Sequence, residues 1–520
     1  MKKVKKFDFW ILLYYVFLVL ILAILSSLIY LSYLSFKKNL NLEAGIIIFF
    51  IYFTNLISNS YLAFQNRHFE AKLPWIIVCS FLPYIGQILY VIFGRRYFYR
   101  TTSKQYLREY KNFTKLNKDQ NNFYLENLPS QQKQMLEFSR DIFNTPIYKF
   151  QAEFISDGHN FFKQVYSDIK NAKKFIFIDT YIIKNDFIWK QLKILLLEKA
   201  KEGVKIKMIL DAFGILKISS KDWIELRKNK IQIVFYNKVF LPFFSANSFY
   251  RNHKKIYLID GEKVYIGGNN ISEEYAGFSE QFGYWMDVNL KIHGEMVENF
   301  CYNFLFNWNN WSYSKKKKID LSICKINPKK SEENEDKSFK NEENIGTIVE
   351  SGPITNESLI EGLILKQIYL AKKKIQIFSP YFSPTYKIIS ALKQVILAGI
   401  KVEIYIPGRN DKNFIGIINN FFAKELQNEG AKIFFFKNIF FHGKSLIIDE
   451  KIGIIGTLNF DTRSLYSQYE VNVFFTGQTI DKFLNYIEKN KTLEIIQRKN
   501  INKKFSWFIK MLILFFKPLI

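Results

Sequence analysis

Residues 253–270 read HKKIYLIDGEKVYIGGNN, and residues 442–459 read HGKSLIIDEKIGIIGTLN. In both stretches a His is followed at +2 by Lys, at +7 by Asp, at +14 by Gly and at +17 by Asn. The matched sets are His253, Lys255, Asp260, Gly267, Asn270 and His442, Lys444, Asp449, Gly456, Asn459. The chain has only five histidines, and two of them open these blocks. Between each His and Asp lies an apolar run, the pattern of a buried strand, and a second apolar run ends at the Gly. Each block therefore reads as a strand pair with His and Lys at one end. Positions i and i+2 of a strand share a face, so each His and its Lys point the same way.

Outward from the blocks, the periodicity is that of an α/β chain. Before the first block, residues 161–172 and 187–202 read as helices and residues 175–181, 204–210 and 231–235 as strands. The pattern restarts after residue 346, with helices over 359–371, 387–398 and 414–429 and strands over 375–378, 401–406 and 433–436. Strands alternating with helices at this spacing predict parallel strands covered by helices. Small signatures align the halves: Tyr181 with Tyr381, EGVK at 202–205 with AGIK at 398–401, and the carboxylates of Asp287-Val-Asn-Leu and Glu470-Val-Asn-Val. The reading is an internal duplication, two similar halves related by a pseudo-two-fold axis. They span residues 146–311 and 347–490, separated by a Lys-, Glu-, Asn- and Ser-rich stretch over 312–346 that reads as a disordered insertion.

At 520 residues the chain is too long for one domain, and 48% apolar residues supply ample core. The net charge of +27 comes with a joint enrichment in Lys, Ile, Asn, Phe and Tyr, so it is weak evidence for nucleic acid. Three cysteines, Cys79, Cys301 and Cys324, lie far apart and predict neither a disulfide framework nor a metal site. Residues 1–100 read as a membrane region. Residues 9–36 are long enough to cross a hydrocarbon core of about 30 Å, and residues 44–64 and 74–93 are further apolar segments. The third is broken by Leu82-Pro83-Tyr84-Ile85-Gly86, which predicts a re-entrant or interfacial hairpin rather than a span. Basic residues at both ends of the region favour an even number of spans, with three remaining open. A polar connector over 101–145 follows, and the tail, residues 491–520, ends in a basic, aromatic and apolar stretch expected to lie on a membrane as an interfacial helix.

Two His-Lys-Asn sets from matched halves can face each other across one cleft. That constellation suits displacement at a phosphodiester, one neutral His attacking phosphorus while a protonated His on the opposite side protonates the leaving oxygen. Lys255 and Lys444 would neutralise the non-bridging oxygens, and Asn270 and Asn459 would donate hydrogen bonds to them. Asp287 and Glu470 are candidates to accept from the far ring nitrogen of each His, fixing its tautomer. Asp260 and Asp449 complete the motif and stand in the candidate catalytic set, although their place beyond the apolar run also suits a structural part. No metal is required by this chemistry, and no cofactor is expected.

The residues carry a family resemblance. H-x-K-x4-D with its Gly and Asn, present twice, resembles the phospholipase D superfamily. Tyr250-Arg-Asn-His-Lys-Lys, Gly267-Gly-Asn-Asn-Ile-Ser-Glu-Glu-Tyr275, Pro380-Tyr-Phe-Ser-Pro384 and Asn459-Phe-Asp-Thr-Arg-Ser464 are similar to motifs of bacterial cardiolipin synthases. Phe81-Leu-Pro-Tyr-Ile-Gly-Gln-Ile-Leu-Tyr90 is similar to their N-terminal membrane module, and Thr457 stands where Ser is common. The resemblance implies two phospholipase D-like α/β halves, each a mixed sheet flanked by helices, behind a helical, multi-pass membrane region. It also implies transfer of a phosphatidyl group between two phosphatidylglycerol molecules through a phosphohistidine, with His253 as nucleophile and His442 as acid and then base. The implied partners are phosphatidylglycerol, other anionic phospholipids and the cell membrane, without nucleic acid; the residues leave the oligomeric state open. Two rivals stand beside this reading: a phospholipase D or nuclease with water as acceptor, and a non-catalytic scaffold that binds anionic lipid.

Overall fold

The computed structural model describes residues 42–65, 69–94, 123–237, 250–279, 284–312, 321–324, 343–353, 358–437, 439–491, 495–498, 501 and 505–517. The chain divides into two compact units, Met1–Tyr97 with Phe243–Ala246, and the remainder.

In the first unit, helix Leu42–Ala63 covers the second expected apolar segment. Helix Phe69–Phe81, a break at residues 82–84 and helix Ile85–Leu89 cover most of the third. The break falls where Leu82-Pro83-Tyr84 predicts it, with Tyr84 at φ 70°. Gly86 lies so close to the preceding helix that a Cβ would stand 2.7 Å from the Val78 carbonyl oxygen. Polar side chains tie these helices, Gln87 Nε2 donating to Asn55 Oδ1 at 2.8 Å and Asn59 Nδ2 to Ser80 Oγ at 2.9 Å. The segment over 9–36 lies outside the described residues. Among the described residues, no helix is long and apolar enough to cross a membrane.

The second unit carries the duplication. In its first half the strands run, in spatial order, Gln232–Tyr236, Lys205–Asp211, Phe175–Thr180, Ile256–Ile259, Lys263–Gly267, Trp285–Gly294 and Tyr148–Asp157. The second half repeats that order with Lys432–Phe436, Lys401–Pro407, Lys374–Phe378, Ser445–Ile448, Ile452–Gly456, Gln468–Gly477 and Glu343–Ser351. In each half the first two pairings are parallel and the rest antiparallel, so the sheets are mixed rather than parallel throughout. The antiparallel part is built by the His blocks themselves, whose two strands form a hairpin in each half. Tyr148–Asp157 pairs with Glu343–Ser351 and makes the two sheets continuous.

Helices Gly158–Asn171, Phe187–Lys201, Leu359–Leu370, Tyr386–Leu397 and Asn413–Asn428 lie within a residue or a few of the expected spans. Side chains satisfy their orphan N–H groups, as where Asp157 accepts from Asn160 N and Ser358 from Glu361 N. The other faces of the sheets share one core. Phe150, Phe177, Phe300 and Phe304 of the first half pack with Phe378, Phe441, Phe475 and Phe483 of the second, all buried. Each such ring stabilises by roughly 1.5–3 kcal/mol on burial, which holds the halves in a fixed relation.

Three expectations are corrected. Helix Ser130–Phe143, inside the expected connector, is part of the second half: Met135, Leu136 and Phe143 join Ile360, Leu363 and Ile364 in its core. The charged stretch over 312–346 is ordered at its described edges, because strand Glu343–Ser351 begins within it and Cys324 forms a disulfide with Cys301. That bridge also overturns the expectation of no disulfide, which rested on sequence distance; the fold brings the two Cα atoms to 5.6 Å. At the C-terminus, helix Trp507–Phe516 buries Ile513 in the second half's core and leaves Trp507 74% exposed.

Candidate active site

Each motif histidine follows a two-residue strand that leaves its own half. Arg251–Asn252 pairs in parallel with Gln468 and Tyr469 of the second half, and Phe440–Phe441 with Trp285 and Met286 of the first. His253 N donates to the Tyr469 carbonyl at 2.9 Å and His442 N to the Met286 carbonyl at 2.8 Å. The next residue on the opposite strand is in each case a carboxylate. His253 Nδ1 lies 2.9 Å from Glu470 Oε1, and His442 Nδ1 lies 2.7 Å from Asp287 Oδ2. The pairs are thus exchanged between the halves, each imidazole oriented by the other half's acid. With Nδ1–H on the carboxylate, Nε2 carries the lone pair and is free for chemistry.

Both lysines are buried beside their histidines. Lys255 Nζ donates to the His253 carbonyl at 2.6 Å and sits 5.6 Å from the Tyr181 ring centroid. Lys444 Nζ donates to the His442 carbonyl and lies 2.8 Å from that ring's Nδ1. Burial pulls Lys255 down to about 7 against the attraction of Glu470, and Lys444 down to about 8 against Asp287 and Glu470. An arriving anion would restore their charge, since lost hydration is the chief cause that depresses it, joined at Lys255 by the like charge of Lys444.

The two acids differ. Burial raises Glu470 to about 8 in spite of Lys255 and the Thr457 hydroxyl. Asp287 is equally buried, but Lys444 and His442 outweigh that penalty and hold it below the usual carboxylate range. The residue after each block's Gly sets part of this contrast. Thr457 donates to Glu470 Oε2 at 2.5 Å, whereas the matched Gly268 leaves no room for a side chain, because a Cβ there would meet both Asp287 carboxylate oxygens at 2.3 Å. The histidines differ in turn. Burial, Lys255, Lys444 and Arg463 push His253 well down, while His442 is held at about 4 by burial and Lys444 with Asp287 pulling it back up.

Asn270 and Asn459 are buried at matched places. Asn270 Oδ1 accepts from Ile182 N at 3.1 Å and its Nδ2 donates to Tyr275 Oη at 2.7 Å. Asn459 Nδ2 reaches Ser464 Oγ at 3.4 Å, the same i to i+5 relation. One N–H of each amide is left for a ligand by these contacts.

Asp260 and Asp449 stand at the far ends of the strands from the histidines. Asp260 accepts from the backbone N–H groups of Lys173, Lys174 and Phe175, and Asp449 from those of Lys372, Lys373 and Lys374. Gln131 adds a bond to Asp449 at 2.6 Å. A carboxylate engaged by three amides at the start of the neighbouring strand anchors a turn, the structural part that the place of both residues beyond the apolar run suits. The same register moves a second alignment. Ile176 and Ile375 occupy matched positions against Ile259 and Ile448, so Tyr181 is equivalent to Pro380 and not to Tyr381. Both tyrosines nevertheless border the site, at 5.2 Å from the His253 ring and 6.2 Å from the His442 ring.

Sequence reading missed Tyr275 and Trp285, whose rings lie 5.5 and 5.1 Å from His442, and Arg463 beside His253. Their signal was their place, five residues past Asn270, two before Asp287 and four past Asn459.

Comparison with known proteins meets this geometry. A family model described as "Cardiolipin synthase, PLD-like domain" matches residues 165–300 and 364–490, one match in each half. A second, "Phospholipase_D-nuclease N-terminal", matches residues 45–95. A cardiolipin synthase of Halalkalibacterium halodurans is 30% identical over 457 residues, 86% of this chain and 88% of that protein. Another from Clostridium perfringens is 31% identical over 462 residues, 86% of this chain and 94% of its own length. Among solved structures, a phosphatidylserine synthase from Haemophilus influenzae Rd KW20 superposes with a TM-score of 0.56 at 14% identity, over 74% of this chain and all of that one, which speaks for the fold.

Proposed function

The chain belongs to the bacterial cardiolipin synthases of the phospholipase D superfamily, which are phosphatidyltransferases, and on that premise we propose that it joins two phosphatidylglycerol molecules through a phosphohistidine at His253. The observation that carries this reading is the exchanged pair of imidazole–carboxylate contacts with two buried lysines between the halves.

The inequality of the pairs supports a division of roles. His253 faces three cations and an acid that burial drives toward its neutral form, so it stays neutral and nucleophilic. Burial and Lys444 hold His442 at about 4 without substrate, but its ionised partner Asp287 pulls it upward and an arriving phosphate anion would pull it further. Of the two rings it is therefore the one to take up a proton when substrate binds. In the first step His253 Nε2 attacks phosphorus, and the bond to the glycerol oxygen breaks as His442 gives that oxygen its proton. Lys255 and Lys444 hold the non-bridging oxygens as charge grows there, with the spare N–H groups of Asn270 and Asn459 donating to them. In the second step neutral His442 takes the proton of a hydroxyl on a second phosphatidylglycerol. That oxygen displaces His253, releasing cardiolipin and restoring both rings.

Residues 1–100 and the tail are assigned to the membrane, with the chain multi-pass. Helix Trp507–Phe516 supports this reading, since its buried Ile513 fixes it to the second half while Trp507 and Leu514 face outward. An aromatic at a helix start is suited to a headgroup layer.

Purified full-length protein in phosphatidylglycerol vesicles is expected to produce cardiolipin and glycerol in equal amounts, with or without EDTA. Phosphatidic acid as the main product would move the assignment to a hydrolase. Loss of neither product in His253→Ala and His442→Ala would refute the two-histidine mechanism.

A further inference from the structure

The two histidines sit on different supports. The strands that precede them are matched in the two halves, Arg251–Asn252 with Phe440–Phe441, and so are the strand ends beneath them, Asp179 with Phe378 and Asp211 with Pro407. In the second half this support is apolar. Phe441 stacks on Phe436 at a centroid distance of 4.0 Å and Phe440 meets Trp285 at 4.3 Å. In the first half the same places carry two acids, a guanidinium and an amide, all buried: Asp179, Asp211 and Asn252 are fully so and Arg251 is 3% exposed.

The polar support is a set of directional bonds on the two residues before His253. Asp211 Oδ2 accepts from the backbone N–H of Asn252 at 2.9 Å, and Asp211 Oδ1 from Arg251 Nη1 at 3.3 Å. Asp211 Oδ1 also takes the Phe213 N–H at 2.9 Å, which fixes the carboxylate itself. Asp179 Oδ1 accepts from Asn252 Nδ2 at 2.5 Å. Arg251 Nη1 further donates to the Asn237 carbonyl at 3.1 Å. Main chain, amide and guanidinium next to His253 are therefore each tied to the C-terminal end of a strand of the first sheet. None of these groups is adjacent to a motif lysine in sequence except through His253, and none has a part in the proton transfers above.

We infer that Asp179 and Asp211 are positioning residues for His253, holding the strand Arg251–Asn252 so that the imidazole keeps one line of attack on phosphorus. The physical ground is the difference between the two kinds of support. Dispersion between stacked rings is non-directional and tolerates sliding, whereas a hydrogen bond weakens steeply with misalignment. The ring that forms and then breaks a bond to phosphorus in each turnover needs the stiffer support. A ring that only moves a proton is served by the softer one. This inference rests on the assignment of His253 in the proposed mechanism.

The test is steady-state kinetics of the full-length protein in phosphatidylglycerol vesicles, with acid-quench mapping of the phosphorylated histidine. Asp211→Leu is expected to lower kcat about 100-fold with KM within about threefold, the size of loss that a displacement of about 1 Å causes. Asp211→Asn keeps an oxygen for the Asn252 N–H and is expected to recover at least about tenfold of that loss. Asn252→Ala removes the bond to Asp179 without touching the acid, and is expected to lower kcat about tenfold with the melting temperature little changed. Phosphohistidine formation slows in step with kcat in each case. Normal kcat in folded Asn252→Ala and Asp211→Leu overturns the inference, as does equal loss in Asp211→Asn and Asp211→Leu. Should Asp211→Leu fail to fold, normal kcat in Asn252→Ala alone overturns it. Phosphorylation mapped to His442 in the wild type is a different failure: it overturns the nucleophile assignment, and the kcat values still decide whether the support positions His253.

Discussion

Asp287→Asn and Glu470→Gln are isosteric changes at matched positions, yet they are expected to differ in cost. Asp287 is held ionised by Lys444 and His442 and accepts from His442 Nδ1 at 2.7 Å. An amide there removes a charge-assisted hydrogen bond from the imidazolium that must protonate the leaving glycerol. Such bonds contribute about 1.5–3 kcal/mol, so turnover should fall roughly 10- to 150-fold. Glu470 is pushed up to about 8, so at pH 7 its carboxyl is largely neutral and Gln reproduces it. The Gln side-chain oxygen can accept from Thr457 Oγ1 as Glu470 Oε2 does. Less than about 1 kcal/mol should be lost, a factor of about five or under. The assay is the initial rate of glycerol release from phosphatidylglycerol vesicles at pH 7 by both variants and the wild type. A loss in Glu470→Gln as large as that in Asp287→Asn would show that both acids work as carboxylates and would refute the assignment of roles from their inequality.

Three further outcomes can be measured. The pH profile of kcat/KM should fall on its alkaline side through apparent values near 7 and 8, because Lys255 and Lys444 lose their charge there as a coupled pair; the limb of kcat should lie higher, since bound phosphate favours the charged amines. Asp260→Ala should leave kcat of the folded enzyme within about twofold but lower stability by roughly 1–3 kcal/mol, seen as a lower melting temperature, because three backbone N–H groups lose their acceptor; a large kcat loss would return Asp260 to the catalytic set. Trp507→Ser should weaken sedimentation of the chain lacking residues 1–97 with phosphatidylglycerol vesicles, while Ser506→Thr, which keeps the cap on Ile509 N, should not.

What the residues revealed follows from which signals are local. The two H-x-K-x4-D blocks, the strands beside them and five of the helices were readable because apolar periodicity is written within each segment, while helices Ser220–Lys228, Met296–Trp311 and Gln478–Asn490 were not read. Strands Trp285–Gly294 and Gln468–Gly477 were not, because Asp287, Asn289 and Lys291 interrupt the first and Glu470 and Asn472 the second. These polar residues are buried and partnered by groups distant in sequence, which no window can see. Helix Ser130–Phe143 looked like a connector for the same reason, its apolar face finding a surface more than two hundred residues away. The disulfide needed the fold to bring Cys301 and Cys324 together. Spacing brought out the two His-Lys pairs and their asparagines, but the exchange of acids between halves depends on two-residue strands too short to carry any pattern.

That exchange bears on what joining the halves in one chain makes possible. Two identical half-length chains assembled about a two-fold axis could also pass each imidazole to the other's carboxylate. Symmetry would then oblige both sites to use the same acid, the same residue before it and the same support beneath each ring. A single chain is under no such obligation. Gly268 with Asp287, and Thr457 with Glu470, are two solutions to one local problem that only a covalently joined pair can hold together, each half free to specialise because its twin is a different sequence. Division of labour between attack and proton transfer, in this reading, is a product of broken symmetry.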